Sequence, residues 1–284
     1  MANTFPFPAR PAPGVRIHPT AVVDSTAVLG ADVSIGPYAI VQAGARIGDR
    51  THIIASALVA EHAEIGPDCE LHFGSVVGLP AQMRGAQSAG GATIVGPRTV
   101  IREHATVHRA TREDGATVLG ADNYLMACCH VAHDCRTGDG VTIANGALLA
   151  GCVTLGDRVF VSGNVTIHQF VHVGELSMIG GLSRVSKDVP PYMLVVGDSK
   201  VCGVNVIGMR RASMTADDRR AVRRVYGILY RSGLAMSRAI ERLRAEPSSP
   251  VVDAFVTFMA ASTRGLCAPR QTRSRRKTEA PADE

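Results

Sequence analysis

The residues with the clearest capacity for chemistry lie in the segment HVAHDC, which contains His130, His133 and Asp134. A histidine beside a carboxylate and a second imidazole can be held in one tautomer and tuned toward neutral pH, as a general base requires. Gly151 follows further along the chain, and a glycine amide, which no side chain shields, can donate to a developing oxyanion. A general base and an oxyanion donor are the minimum required for acyl transfer to a hydroxyl group.

A six-residue repeat of aliphatic residues explains why the spacing of His133 and Gly151 matters. Outside two interruptions, Val, Ile or Leu stands at 25 of the 26 positions of this frame between Ile17 and Val185, and the exception is Thr137. Hexapeptide periodicity of this kind predicts a parallel β-helix. Three hexads form one triangular coil, so residues one coil apart stack about 4.8 Å from one another. Because three hexads separate His133 from Gly151, the frame predicts that Gly151 lies directly over His133.

Two alternatives compete with the general-base interpretation. None of the ten histidines occupies the aliphatic or the small position of a hexad, so all ten are predicted to point outward or to lie at corners, where an ordinary surface or interface histidine is common. A metal site is the second alternative, but zinc-binding members of this fold use two histidines five residues apart, a spacing that this chain lacks. We expect no metal site and no cofactor.

The composition favours a thin prism of repeated cross-section over an ordinary globular core. The chain has 284 residues, of which 46% are hydrophobic but only 4% are aromatic, with no Trp, and its 29 Gly suit corners that need positive φ. The seven Cys have no metal-type spacing, and Cys69, Cys129 and Cys135 are predicted to be small core residues. Reduced thiols and the lack of a long apolar stretch predict a cytoplasmic protein without stable membrane insertion.

The net charge of +5 comes partly from a basic cluster near the C-terminus, formed by Arg270, Arg273, Arg275, Arg276 and Lys277. This segment has no aromatic residues for stacking on bases and is rich in Pro, Ser and Ala, so it predicts a disordered, solvated tail. We expect no nucleic-acid partner. A basic surface can instead attract an acidic protein or a phosphorylated substrate.

The repeat frame divides the chain into five segments and predicts a mainly β fold with a C-terminal helical domain. Insertions in a solenoid project from one face, which is often the binding face. After the β-helix, Thr215 is the predicted N-cap of a first helix and Pro250 the first residue of the last one. The predicted segments are an extended lead-in at residues 1–14, a β-helix at 15–192 with inserted loops near 79–92 and 110–117, a connection at 193–213, a helical domain at 214–266 and a disordered tail at 267–284.

Several non-repeat motifs occur in a fixed order along the chain: TVHR at 106–109, LMACCHVAHDC at 125–135, IHQF at 167–170, DVPPY at 188–192, GVN at 203–205, YRSG at 230–233 and STRGL at 262–266. Hexad repeats alone are shared by many acyltransferases, but these motifs together are specific. From about residue 15 to residue 266 the chain resembles the UDP-N-acetylglucosamine acyltransferases of lipid A biosynthesis. The resemblance implies that the β-helix is left-handed and that the protein is a homotrimer.

The resemblance also implies a reaction and its residues. A 3-hydroxyacyl group is expected to move from an acidic acyl carrier protein to the 3-hydroxyl of UDP-N-acetylglucosamine, the first step of lipid A biosynthesis. His133 is the implied general base, Asp134 its orienting partner and the Gly151 N–H the oxyanion donor. The implied substrate-binding residues are His130, His168, Gln169, Asn205, Arg211, Arg84 and His108, and the implied acyl-chain ruler is Gly181 with Met178.

The repeat frame adds a hypothesis about assembly. Eight hexads separate His133 from Gly181, which is not a whole number of three-hexad coils, so the two residues are predicted to lie on different faces of the prism. If both line one site, they most simply come from two chains.

At four positions the chain departs from the family pattern. Cys152 replaces a usual His, Ile207 a usual acidic residue, Ala212 a usual basic residue and Gln82 a usual Asp. These departures concern the sugar and nucleotide contacts and leave the acyl-chain length and a 3-hydroxyl or 3-amine acceptor open. The alternatives are a divergent hexapeptide acyltransferase that uses another amino sugar or acyl-CoA, and a non-catalytic trimeric scaffold.

Overall fold

Three parallel β-sheets wrap around one another to form a triangular prism. The computed structural model describes residues 14–84 and 90–270. The predicted lead-in up to residue 13, residues 85–89 of the first loop and residues 271–284 of the tail lie outside the described residues. Because successive strands belong to successive sheets, each coil of the chain adds one strand to every sheet.

The strands of the prism are mostly two residues long and are separated by four-residue corners. The first sheet contains Arg16–Ile17, Ser34–Ile35, His52–Ile53, Glu70–Leu71, Val100–Ile101, Tyr124–Leu125, Thr142–Ile143, Phe160–Val161, Met178–Ile179, Met193–Val196, Lys200–Val204 and Ala268–Pro269. The second contains Val22–Val23, Ile40–Val41, Leu58–Val59, Val76–Leu79, Thr106–His108, His130–Val131, Leu148–Leu149, Thr166–Ile167 and Arg184–Val185. The third contains Val28–Leu29, Arg46–Ile47, Glu64–Ile65, Ala92–Val95, Ala116–Leu119, Arg136–Thr137, Thr154–Leu155 and His172–Val173.

The predicted stacking of residues one coil apart is confirmed, and the two insertions preserve it. Arg16 pairs with Ser34 across one ordinary coil of three hexads. Val76 pairs with Thr106, five hexads later, and Thr106 pairs with His130, four hexads later. The inserted segments therefore have the length of whole hexads. Both leave the prism at the corner that joins the second sheet to the third, which we call the site corner because it also contains residues 132–134 and 150–152.

The interior of the prism consists mainly of stacked aliphatic side chains, and the one polar residue at the aliphatic position is hydrogen-bonded. Thr137, the residue that breaks the aliphatic pattern, is buried and lies beside buried Asn123. Asn123 Nδ2 donates to Thr137 Oγ1 at 2.7 Å, and Asn123 Oδ1 accepts from the Val141 N–H at 2.7 Å. A buried polar pair of this kind costs little because its donors and acceptors are used. The predicted core cysteines are confirmed as well, since burial raises the pKa of the Cys69, Cys129 and Cys135 thiols to about 12.

The prediction that glycines occupy the corners that need positive φ is wrong for most corners. Among the described residues, 20 non-glycine residues but only 9 glycines have positive φ. The glycine directly after the aliphatic residue serves a different purpose, close approach of consecutive coils. A Cβ atom on Gly48, for example, would lie 2.4 Å from the backbone nitrogen of Pro67 in the next coil.

Beyond Tyr192 the chain leaves the repeat and covers the last coil. The predicted connection contains the antiparallel strands Met193–Val196 and Lys200–Val204, followed by helix α1 at Val206–Arg211. Three longer helices follow: α2 at Ala216–Tyr230, α3 at Met236–Arg244 and α4 at Pro250–Ala261. Thr215 caps α2 and Pro250 opens α4, as predicted. The Tyr192 and Phe255 rings, 5.7 Å apart, join the last coil to α4.

Within the described residues, no helix has the length and apolar character that crossing a bilayer requires.

The close approach of the coils gives a stability prediction. Replacing Gly48 with Ala should lower the free energy of unfolding by about 1–3 kcal/mol, because the new methyl group meets the backbone of the next coil and not a side chain that can move. Gly227, inside α2, is the matched control, since nothing lies within 4 Å of a Cβ atom placed there. Gly227→Ala should leave stability unchanged or raise it by about 0.5–1 kcal/mol. Denaturant unfolding monitored by circular dichroism measures both, and a neutral Gly48→Ala would contradict the packing argument.

Candidate active site at the corner between the second and third sheets

His133 and Gly151 occupy equivalent positions of consecutive coils at the site corner. A Cβ atom on Gly151 would lie 2.4 Å from His133 Cε1 and 2.5 Å from His133 Nε2, so the imidazole covers the glycine. The prediction that Gly151 stacks over His133 is confirmed. The Cys152 N–H donates to the His133 carbonyl oxygen at 3.0 Å and fixes the separation of the two coils at this point.

Asp134 orients the His133 ring and is itself held by three groups. His133 Nδ1 lies 2.8 Å from Asp134 Oδ2, and because a carboxylate only accepts, Nδ1 donates. Thr111 donates to the same oxygen through its N–H at 3.2 Å and its Oγ1 at 2.8 Å, and Thr117 Oγ1 accepts from the Asp134 N–H at 2.8 Å. Burial pushes the pKa of Asp134 upward, but the hydrogen bonds from His133 and Thr111 outweigh it and hold that pKa below its ordinary value.

This arrangement leaves two groups at the site corner without a hydrogen-bond partner in the described part of the chain. With Nδ1 bound to Asp134, the remaining ring nitrogen of His133, Nε2, has the lone pair that accepts a proton. The Gly151 N–H donates to no acceptor within residues 14–84 and 90–270. A proton acceptor and an unused amide donor therefore lie side by side, and the His133 side chain is 18% exposed. The geometry suits removal of a proton from a hydroxyl group next to a developing oxyanion.

His130 and His108 form a second, more buried pair beside the first. His130 Nδ1 lies 2.7 Å from Thr106 Oγ1, and the two imidazole rings are 5.2 Å apart, edge to face. Burial, together with the neighbouring His108 and His133 rings, lowers the pKa of His130. His108 lies outside the prism interior, as the frame predicts, yet it is only 6% exposed because Pro80 of the first loop covers it and accepts from its Nδ1 at 2.7 Å.

His168 and Gln169 continue the same corner by one coil toward the C-terminus. Both side chains are exposed, and His168 Nδ1 lies 3.3 Å from the Gln169 carbonyl oxygen. The Phe170 N–H donates to the Gly151 carbonyl oxygen at 3.1 Å. The structure therefore brings His168 and Gln169 to the His133 region.

Asn205, Arg211 and Met178 lie at a different edge of the prism, where the third sheet meets the first. They line a cavity of about 710 Å³ between α1 and the prism. The Asn205 side chain also holds the fold, since it accepts from the Gly208 N–H at 2.9 Å and donates to the Leu176 carbonyl oxygen at 2.8 Å. The cavity lining that sequence reasoning did not select consists of Arg158, Phe160, Leu176 and Ser213, together with the departures Ile207 and Ala212.

The remaining predicted residues lie apart from both groups. Gly181 occupies the edge between the first and second sheets, where a Cβ atom would fit without a clash, since the nearest atom to it is the Gly163 carbonyl oxygen at 3.5 Å. Arg84 and Gln82 are exposed in the first loop. Within one chain, Gly181 therefore lies on a different edge of the prism from His133, as the repeat frame predicts.

One group of three potential metal ligands occurs among the described residues, and it lies at the site corner. The ligand atoms of His133, Asp134 and Cys152 lie within 4.8 Å of one another. Sequence reasoning compared histidine pairs and cysteine pairs separately and missed this mixed group. Cys152 follows Asp134 by one coil, so the stacking rule that placed Gly151 over His133 also places this thiol over the carboxylate.

The buried His130 gives a pH prediction. Because its pKa is lowered on folding, the folded chain resists protonation, and the stability associated with neutral His130 is present above about pH 6.5 and is lost as the pH falls through the lower folded-state pKa. The free energy of unfolding of the wild type relative to His130→Gln should fall between about pH 7.5 and about pH 5.5. His172→Gln, on the third sheet, controls for the loss of an outward histidine. A wild-type advantage that stays constant over this range would contradict the assignment.

Known proteins share both the sequence and the fold. The profile described as "Udp N-acetylglucosamine O-acyltransferase; Domain 2" matches residues 188–267. The acyl-[acyl-carrier-protein]–UDP-N-acetylglucosamine O-acyltransferase of Burkholderia orbicola is 43% identical over 260 residues, which cover 88% of this chain and 98% of that protein. The protein of the same name from Aliivibrio fischeri is 41% identical over 254 residues, covering 88% and 97% of the two chains.

Solved structures agree with these sequence relatives. LpxA from Acinetobacter baumannii superimposes with a TM-score of 0.84 at 37% identity, covering 88% of this chain and 98% of that one. The UDP-N-acetylglucosamine acyltransferase of Francisella novicida gives a TM-score of 0.85 at 31% identity, covering 89% and 94%. The predicted fold class, a left-handed parallel β-helix with C-terminal helices, is confirmed. The chain belongs to the acyl-[acyl-carrier-protein]–UDP-N-acetylglucosamine O-acyltransferase family.

Proposed function

We propose that this protein transfers a 3-hydroxyacyl group from acyl carrier protein to the 3-hydroxyl of UDP-N-acetylglucosamine, as the first step of lipid A biosynthesis in the cytoplasm. The main support is the His133–Asp134 pair, which lies against the unused N–H of Gly151. A non-catalytic scaffold has no need of an oriented base and a free amide donor at one exposed corner. Relatives that match 97–98% of their own length are named for this activity.

The chemistry needs no cofactor. His133 Nε2 takes the proton of the acceptor hydroxyl, and the alkoxide oxygen attacks the thioester carbonyl carbon. The carbonyl oxygen becomes an oxyanion, which the Gly151 N–H stabilises because it donates to no other group. The tetrahedral intermediate then expels the carrier thiolate, which recovers the proton from His133. Asp134 stabilises the imidazolium through the Nδ1 hydrogen bond of 2.8 Å.

The remaining residues are assigned to binding. His130, His168 and Gln169 surround the base and position the amino sugar, while the covered His108 supports His130. In the 710 Å³ cavity, Arg211 faces the nucleotide phosphates and Asn205 holds α1 in place. Met178, at the same cavity, and Gly181 limit the acyl chain. Exposed Arg84 in the first loop contacts the acidic carrier protein.

These groups lie on three different edges of one prism, which supports a site shared between subunits. The base is at the edge between the second and third sheets, the cavity at the edge between the third and first, and Gly181 at the edge between the first and second. No single substrate molecule reaches all three edges of one chain across its packed core. We therefore propose a homotrimer in which the base of one subunit faces the binding residues of its neighbour.

The reaction and the base are tested together by mass spectrometry of the products. Purified protein offered 3-hydroxyacyl carrier proteins of several chain lengths with UDP-N-acetylglucosamine should yield an ester, whereas a 3-amino acceptor analogue would yield an amide. His133→Ala should lower turnover by about 10²–10⁴ without changing the melting temperature or assembly. His172→Ala is the matched control, since it removes an outward histidine one sheet away. Full activity of His133→Ala would refute the assignment.

The shared site is tested by complementation in mixed oligomers. His133→Ala and Gly181→Trp subunits are each expected to be inactive alone, because one lacks the base and the other fills the acyl path. In a mixed trimer, cyclic symmetry places one intact His133 opposite one intact Gly181 at one of the three interfaces. Mixed trimers isolated through two different tags should recover activity at that one interface. No recovery would show that the base and the ruler act within one chain.

A further inference from the structure

We infer that His133, Asp134 and Cys152 form a binding site for a zinc-type divalent cation, which blocks the general base when it is occupied. The ligand atoms of these three residues lie within 4.8 Å of one another. An imidazole, a carboxylate and a thiol together suit a borderline-soft metal ion and disfavour Mg²⁺ or Ca²⁺, which take oxygen ligands. Three protein ligands leave the fourth position of a tetrahedral ion for water.

The backbone holds the three ligands in place before any cation arrives. Asp134 and Cys152 stack at the same corner position of consecutive coils, both with positive φ, at 60° and 62°. The Cys152 N–H donates to the His133 carbonyl oxygen at 3.0 Å, and the Asp134 N–H donates to Thr117 Oγ1 at 2.8 Å. Because these hydrogen bonds hold the two coils in register, side-chain rotation and not backbone movement brings the donors to metal–ligand distances of about 2.0–2.3 Å.

The ligands are also accessible and have unused donor capacity. The His133 and Asp134 side chains are 18% and 22% exposed, and Cys152 is partly exposed. The Thr111 hydroxyl and His133 both bind Oδ2 of Asp134, so Oδ1 has only a 3.4 Å contact with the Thr111 N–H. Cys152 Sγ forms no hydrogen bond within the described part of the chain. A cation can therefore enter from solvent without first breaking a core contact.

The consequence for activity follows from the role of His133. Coordination through Nε2 occupies the lone pair that accepts the proton. Coordination through Nδ1 breaks the hydrogen bond to Asp134 and moves the ring proton to Nε2, so a bound cation competes with acyl transfer in either case. This competition rests on the proposed function, whereas the binding site itself does not. Cation binding is expected to be reversible by a chelator, because all three ligands lie at the surface.

The experiment uses the full-length, untagged protein after chelator treatment. Titration with Co²⁺ should produce a thiolate-to-cobalt charge-transfer absorption that Zn²⁺ displaces. Cys152→Ala should abolish this absorption and weaken Zn²⁺ binding by about 100-fold, the upper end of what loss of a hydrogen-bonding partner of a ligand costs, because here a ligand itself is lost. Cys128→Ala is the matched control, because Cys128 is an exposed thiol at a positive-φ corner of another edge. Cys152→His should retain Zn²⁺ binding through an imidazole but lose the charge-transfer absorption.

The outcomes separate the site from the proposed reaction. Absorption that survives in Cys152→Ala, or that never appears in the wild type, would overturn the site. Where the site exists, Zn²⁺ should inhibit wild-type acyl transfer and a chelator should restore it. At about ten times the wild-type Kd for Zn²⁺, Cys152→Ala should keep a fraction of its own zinc-free activity about ten times larger than the wild type keeps, because its binding is about 100-fold weaker. Equal inhibition of both proteins would overturn the competition with His133. Cysteine-dependent binding in a protein with no acyl transfer at all would support the site and contradict the proposed function.

Discussion

The in-register stacking of consecutive coils is the constraint on which the rest of the molecule depends. Each coil donates its backbone N–H groups to the carbonyl oxygens of the next, as in the Gly30 N–H to Ile47 oxygen bond of 2.8 Å. Parallel ladders tolerate no slip where one face of every strand is buried, because a shift of one residue would turn the aliphatic side chains outward. Gly48 shows how closely the coils approach, since the atoms of the next coil leave no room there for a single methyl group.

The same stacking creates the candidate active site and its sensitivity to metal ions. A separation of one coil places the Gly151 amide against the His133 imidazole, and at the adjacent position it places the Cys152 thiol over the Asp134 carboxylate. The short distance between the coils that places an oxyanion donor beside the base therefore also brings a nitrogen, an oxygen and a sulfur ligand close together. The identity of the residue at position 152 decides how soft this ligand set is, because a thiol offers sulfur where an imidazole would offer nitrogen.

The two insertions show how a repetitive fold acquires an irregular site. Each has the length of whole hexads, so the ladder resumes in register after it. Both leave at the site corner, where Pro80 covers His108 and Thr111 holds Asp134. The regular prism places the reacting groups, and the loops bury and orient them. In this way Thr111 helps to lower the pKa of Asp134, and His108, which Pro80 covers, helps to lower the pKa of His130.

The sequence by itself determined the prism, its register and the His133–Gly151 contact, because a period of six fixes which side chains face inward and which residues stack. It also located the core cysteines, the cap at Thr215 and the first residue of α4 at Pro250, since these depend on local spacing. Only the tertiary structure decided the contacts of Thr111 and Pro80, the burial of His108 and the cavity beside α1, because loops and helices outside the repeat have no period to extrapolate. The prediction that glycines serve corners with positive φ was wrong because the composition gives only the number of glycines. The distance between consecutive coils determines where a side chain cannot fit.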